Sequence, residues 1–284
     1  MVTLFAWSII FTACAETTSD YITIQGVRYS INLTDLDLSF MDLQDRDIAI
    51  LRHMTNLEWL DLSYNRINDV SPLIELTNLK TLNLNNNQVR DLSPLSKLLE
   101  LRWLYLDNNQ INDLSSLAEL TDLYELHLYN NQINDISLFS NFSNLIRLDL
   151  NSNEIKELSS LENLTDLRQL DLAHNQIIDL SPLARLTSLY ELRLQNNKIT
   201  DLISLSAISH VSIVSLENNK ISDLSPLLHL TNLQTLGLGG NQVTDLLPLA
   251  GLIGLNHLNL AENKEGMLRM RKEMQQFLSC NGIL

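Results

Sequence analysis

An asparagine recurs every 22 residues along this chain, at Asn65, Asn87, Asn109, Asn131, Asn153, Asn175, Asn197, Asn219, Asn241 and Asn263. A globule fills its core from residues at irregular separations and has no use for so strict an interval. A stacked solenoid demands it, because each coil must set the same side chain over the coil before. The interval therefore points to a solenoid, and that fold limits the functions that remain.

The frame around each asparagine is clearest at Leu79-x-x-Leu82-x-Leu84-x-x-Asn87-x-Val89-x-Asp91-Leu92-Ser93-Pro94-Leu95-x-x-Leu98. The Leu82-x-Leu84 step has period two, which predicts one short strand per repeat with leucines inward and variable residues outward. Successive strands pair in parallel about 4.8 Å apart, so ten of them make an arc of about 45 Å. The asparagine falls where the chain leaves the strand. Its amide both donates and accepts, which suits a buried turn with unpaired backbone groups. In the return half, Ser93 reads as a helix cap and Pro94 as the first helical residue. All five prolines (Pro72, Pro94, Pro182, Pro226 and Pro248) take that slot. So short a return leaves room only for a 3₁₀ or single-turn helix on the convex side. The frame is identified as the leucine-rich repeat. It predicts an α/β fold: a right-handed solenoid with a parallel concave sheet and 3₁₀ turns on the convex side.

The period makes residues 57–263 one continuous domain of about ten repeats, the last partial, and such an array needs caps. Residues 15–56 are expected to form an N-terminal cap and a degenerate first repeat beginning near Leu33. Within it, 21–31 alternates around Gln25-Gly26 as a hairpin. Residues 45–54 read as a short helix capped by Asp45, with Ile48, Leu51 and Met54 inward. Residues 264–284 are expected to be a C-terminal cap, helical over 264–279, with Met267, Met270, Met274, Phe277 and Leu278 on one face.

The formal charge of −15 has a largely local cause. Asp69, Asp91, Asp113, Asp135, Glu157, Asp179, Asp201, Asp223 and Asp245 share one repeat position, at the start of the convex turn, where an acid favours nearby N–H groups. The acidity argues against a nucleic-acid partner. Cys14 and Cys280 offer neither a disulfide framework nor metal-ligand spacing, and Cys280 is expected to be a small thiol in the terminal cap. No cofactor is expected.

Residues 1–14 differ from the rest of the chain. Their apolar run is too short to span a bilayer and fits the core of a secretory signal. Phe11-Thr12-Ala13-Cys14 resembles a bacterial lipobox, although Phe11 stands where leucine is usual and no Lys or Arg precedes the run. The resemblance implies lipidation of Cys14 and an exported, cell-surface or extracellular protein that meets the membrane only through that anchor. The alternative is an extra hydrophobic strand packed on the N-terminal cap. Residues 15–20 suit a short tether.

Residues 57–78, 79–100 and 233–254 carry Leu-x-x-Leu-x-Leu-x-x-Asn-x-Ile/Val-x-Asp-Leu-Ser-Pro-Leu-x-x-Leu-Thr-Asn, complete or nearly so. This resembles the internalin class of bacterial leucine-rich repeats, from about Leu33 to Asn263. It implies an exported bacterial surface protein that binds other proteins. The matching residues are scaffold, so they do not name the ligand. The family's cell-wall sorting signal and its immunoglobulin-like domain are not read in this sequence, and host-cell invasion is not carried over. The leucine-rich regulatory subunit of protein phosphatase 1 shares the 22-residue period and supplies an intracellular alternative, should the leader be retained.

Information in a solenoid lies in its outward strand positions. Trp59, Arg102, Trp103, Tyr105, Tyr124, His127, Tyr129, Arg147, Arg168, Tyr190 and Arg193 fall there, among Glu58, Asp61, Tyr64, Lys80, Thr81, Asn83, Asp107, Glu125, Asp149, Asp171 and Glu191. Both tryptophans outside the leader and five of the seven tyrosines lie on this face, and none of the six phenylalanines does. Purely apolar aromatics are thus expected inside or in the leader. Trp, Tyr and Arg dominate protein interfaces, so a protein ligand is expected on the concave face. A carbohydrate stacked on Trp59, Trp103 and Tyr105 is the rival. His127 beside Asp149 or Glu125 lacks a nucleophile and an oxyanion site, so no catalytic residue is assigned. His127 and His174 lack metal-ligand spacing. Gly237, Gly239 and Gly240 leave a bare stretch that marks an edge of the footprint or a bend.

Overall fold

The structure is a computed structural model and describes residues 20–263. The leader with Cys14, the expected helix over 264–279 and Cys280 lie outside the described residues. Two strands, β1 (Tyr21–Ile24) and β2 (Val27–Ser30), form the expected antiparallel hairpin, with Ile22 and Ile24 turned into the core.

Eleven three-residue strands then stack into one sheet, in sequence order from end to end. The degenerate first coil supplies β3 (Asp35–Asp37). The regular coils supply β4 (Trp59–Asp61), β5 (Thr81–Asn83), β6 (Trp103–Tyr105), β7 (Glu125–His127) and β8 (Arg147–Asp149). They continue through β9 (Gln169–Asp171), β10 (Glu191–Arg193), β11 (Ile213–Ser215), β12 (Thr235–Gly237) and β13 (His257–Asn259). Every pair is parallel and in coil-to-coil register, as in Leu60 beside Leu82 beside Leu104. The inward leucines of successive coils therefore stack in ladders, and Leu60, Leu82, Leu104 and Leu126 are all fully buried.

The asparagine ladder accounts for the interval. Asn131 is 9% exposed. Its Nδ2 donates to the carbonyl of Leu106 in the preceding coil at 3.0 Å and to that of Leu128 in its own coil at 3.1 Å. Its Oδ1 accepts the N–H of Ile111, also in the preceding coil, at 3.0 Å. The same pattern holds at Asn87, Asn109 and Asn153. Each amide satisfies buried backbone groups of two coils at once, so its position cannot drift.

On the convex side the return is the expected 3₁₀ turn, as in Ser71–Leu73 and Ser93–Leu95. The cap differs from expectation. Ser93 does not cap; Asp91 does, its carboxylate accepting the N–H of Ser93 at 2.8 Å and its hydroxyl at 2.9 Å. The turn begins at the serine itself, so the serine N–H is the donor left over, and its acceptor must come from two residues earlier. These hydrogen bonds hold the carboxylates of Asp113, Asp135, Asp179 and Asp223 below the ordinary aspartate value.

The expected helix over 45–54 is shorter and tighter: one α-turn, α1 (Asp45–Ile48), running into a 3₁₀ turn at Ala49–His53. Ile48, Leu51 and Met54 are fully buried as expected. Asp45 is not its cap. Gln44 takes that position, with Asp47 accepting its N–H at 2.8 Å. Asp45 instead accepts the N–H groups of Asn68 and Asp69 and fastens the next coil. Among the described residues no helix is long and apolar enough to cross a membrane.

Candidate functional site

The strand register sorts the outward residues into columns. Trp59, Thr81, Trp103, Glu125, Arg147, Gln169 and Glu191 follow one another down the first. Asp61, Asn83, Tyr105, His127, Asp149, Asp171 and Arg193 follow down the second. Arg102, Tyr124, Arg168 and Tyr190 each stand one residue before a strand, and Tyr129 stands two residues after β7.

Trp103, Tyr124, Tyr129 and Tyr190 are exposed, whereas Trp59, Tyr105, His127 and Arg102 are half-buried. The structure brings a central group together around β6 and β7. The rings of Trp103 and Tyr124 lie 6.1 Å apart and those of Tyr105 and His127 4.9 Å apart. Trp59 sits two coils before this group and Tyr190 three coils after Tyr124.

The arginines are not equivalent. Arg102 faces the loop at the strand start, 3.2 Å from the Asp122 carboxylate and donating to the Leu101 carbonyl at 3.1 Å. Arg193 is paired with Glu191 at 2.6 Å and lies 3.6 Å from Asp171. Among the described residues Arg147 and Arg168 make no ion pair.

Arg147 stands in a field of shielded carboxylates. Burial pushes Asp107 up to about 6, against the N–H of Tyr129 and the charge of Arg147, which favour its ionised form. Burial also pushes Asp149 up to about 6, with neighbouring Asp171 and Asp107 adding to the rise. Asp171 is raised, again chiefly by burial. His127 is lowered by burial and then by Arg147, both of which disfavour its charged form. Tyr105 is raised by burial and by Glu125. Between Arg147 and Arg193 the floor dips into a recess of about 40 Å³ lined by Asp149, Gln169, Asp171 and Glu191. Among the described residues no group of three or more His, Cys, Asp or Glu side chains is arranged to hold a metal ion.

Two features are not legible in the sequence. The glycines do not leave a bare surface: a side-chain carbon on Gly237 would meet the Glu217 carboxylate, so the glycine makes room for that group. Phe40, expected inside, is 71% exposed and stacks on Tyr64 with ring centroids 4.1 Å apart and planes 12° from parallel.

The family model for leucine-rich repeats (2 copies) matches residues 55–97, 100–141, 143–185, 165–210 and 209–251. The solved structure of internalin F from Listeria monocytogenes is 37% identical, covering 84% of this chain and 71% of that one, with a TM-score of 0.80. The chain belongs to the leucine-rich repeat family, in its internalin-like class. Internalin C2 of the same organism is also 37% identical, over 66% of this chain and 83% of its own, with a TM-score of 0.64. The plant peptide hormone receptor RGFR1, solved in complex with RGF2, is 25% identical over 83% of this chain and 45% of its own, with a TM-score of 0.66. No curated protein sequence matches this internalin-like chain.

Proposed function

We propose that this internalin-like chain is a non-catalytic, exported bacterial protein whose concave face holds a protein ligand. The carrying observation is the half-exposed aromatic group of Trp103, Tyr105, Tyr124 and Tyr129 on a rigid sheet. Such side chains offer large contact area at small entropic cost, and the sheet holds them in place before the ligand arrives. The recess on that face, about 40 Å³, is far below the roughly 300–1,000 Å³ of small-molecule sites. A broad, shallow, aromatic surface suits a macromolecule. The resemblance to a peptide hormone receptor solved with its ligand supports the same reading. The apolar run before Cys14 supports export, with Cys14 as the lipidated N-terminus of the mature protein.

Trp103 is the central anchor, flanked by Trp59, Tyr105, Tyr124, His127, Tyr129 and Tyr190. Arg147 and Arg168 orient the ligand directly, while Arg102 and Arg193 act through carboxylates they already hold. Carbohydrate is the second reading, supported by the exposed ring of Trp103 tilted at 45° to Tyr124.

Trp103→Ala is expected to weaken a ligand captured from the native environment by about 2 kcal/mol or more. Lys97→Glu, on the exposed convex side, is expected to leave affinity unchanged. Titration of both variants side by side checks this; normal binding by the Trp103 variant, with loss in the convex one, defeats the concave assignment. Mass spectrometry of protein from the native host is expected to find Cys14 at the N-terminus. Intact Met1 in the soluble cytoplasmic fraction would favour the intracellular alternative.

A further inference from the structure

The turn after each strand of the long sheet places a residue in the left-handed region at one equivalent position, with φ between 53° and 69°: Phe40, Tyr64, Asn86, Asn108, Asn130, Ser152, His174, Asn196, Asn218, Gly240 and Glu262; the lengthened first coil adds a second, Asp42, at 55°. Asparagine and glycine tolerate this conformation; bulky side chains at φ above zero are outliers. His174 and Glu262 occupy it further along, and the first two coils set phenylalanine and tyrosine there, at Phe40 and Tyr64. They are not placed there to be buried, since Phe40 is 71% exposed and Tyr64 50%. Their mutual stacking offsets part of the cost. The left-handed turn itself belongs to every coil and its N–H bonds the next one, so what lacks a structural use is the choice of exposed rings at Phe40 and Tyr64, which neither fill the core nor close a coil.

The same turns carry unneutralised charge. Asp37 accepts the N–H and hydroxyl of Ser39, the residue before Phe40, at 2.9 and 2.7 Å. Asp61 accepts the N–H of Ser63, the residue before Tyr64, at 2.7 Å. Asp35 stands on β3 beside Trp59. None of these three aspartates is in an ion pair among the described residues, while the nearby cations are committed elsewhere: Arg66 to Asp42 and Lys80 to Glu58. Hydrogen bonds from Ser39 hold Asp37 below the ordinary aspartate value, so it is ionised at neutral pH.

We propose that this N-terminal rim, the stacked Phe40 and Tyr64 with Asp35, Asp37, Asp61 and Trp59, is a docking surface for a Lys- or Arg-bearing segment of a basic polypeptide. A cation over an exposed aromatic face gains from the ring quadrupole, and carboxylates on the same turns complete its neutralisation. The surface extends the ligand footprint beyond the concave columns. It rests on the reading of the chain as a protein-binding repeat, but not on which concave residue anchors the ligand.

The test is calorimetric titration of the full chain with a synthetic Arg-Gly repeat peptide and with its citrulline counterpart. The Arg peptide is expected to bind, and the citrulline peptide at least tenfold more weakly. The double variant Phe40→Asn/Tyr64→Asn installs the residue usual in that column. It is expected to bind the Arg peptide at least tenfold more weakly while melting at the parent temperature or above. Asp37→Asn keeps the one oxygen that serves both donors of Ser39, and is expected to lose affinity and part of its salt dependence. Unchanged affinity in the double aromatic variant overturns the proposal, as does equal binding of the citrulline peptide or none of the Arg peptide. A fall in melting temperature on introducing the asparagines also overturns it, because the rings would then be structural. So does a neutral oligosaccharide, such as a chitin hexamer, that binds the parent and not the variant. Trp103→Ala, on β6, is expected to bind the Arg peptide as the parent does, so failure of the rim and failure of the concave assignment, which titration of the native ligand reads, are told apart.

Discussion

Asn131 commits one amide to backbone groups of two coils, and its neighbours in the ladder do the same. Asn131→Ala leaves a buried N–H and a carbonyl short of partners and is expected to cost about 1–3 kcal/mol. Thr81→Ala, half-exposed on β5 and without a side-chain hydrogen bond among the described residues, is expected to cost under about 0.5 kcal/mol. Equal shifts in chemical denaturation would mean that the ladder is not what holds the coils. Asn83 would be a poor control: its amide donates to Asp61 at 2.8 Å and accepts from the N–H of Asn85 at 3.0 Å, so this outward residue is engaged too. The ladder was legible in the sequence because one side chain meets one need at one interval. Phe40 was not, because it lies 24 residues before Tyr64 rather than 22, and the lengthened first coil hides it from the frame.

Adjacent strands β8 and β9 set Asp149 beside Asp171. An aspartate raised by burial keeps its proton longer in the folded chain than in the unfolded one. Its stabilising effect is full below the unfolded value of 3.8 and is lost as pH rises through about 6, for both Asp107 and Asp149. His127, lowered, acts oppositely below 6.5, but it is one group against three raised aspartates, Asp171 included. The convex aspartates, lowered, contribute above 3.8 and lose that contribution as pH falls below it. The melting temperature is therefore expected to climb from pH 7 toward a maximum between about pH 4 and 5, then to fall. Asp149→Asn keeps an oxygen for the N–H of Asn151. It is expected to melt above the parent at pH 7, with the advantage gone near pH 4. Parallel melting curves across that range would show that Asp149 is not shielded. The columns themselves were legible, since period two and the register assign every outward residue. Burial was not, because it depends on neighbours one and two coils away. Nor did Asp-Leu-Ser by itself say which residue caps, as either side chain can accept.

Each coil of the molecule touches chiefly its two neighbours, so length is negotiable and phase is not. Deleting residues 155–176 removes one full interval and joins Glu154 to Ile177, where the amide of Asn197 still serves its preceding coil. This shortened chain is expected to keep one cooperative melting transition and the parent's circular dichroism per residue. Deleting residues 155–165 sets strand over turn and is expected to abolish folding. Survival of both deletions, or of neither, would contradict the coil as the unit.

The direction of the amide bonds has a further consequence. Ile111 gives its N–H to Asn131, twenty residues later in the chain, and Val89 gives its own to Asn109. A chain synthesised from its N-terminus cannot seal a coil until the ribosome has made the asparagine of the next one. Folding during translation thus trails synthesis by one coil, and a stalled product of any length ends in the same way, with one unlatched turn.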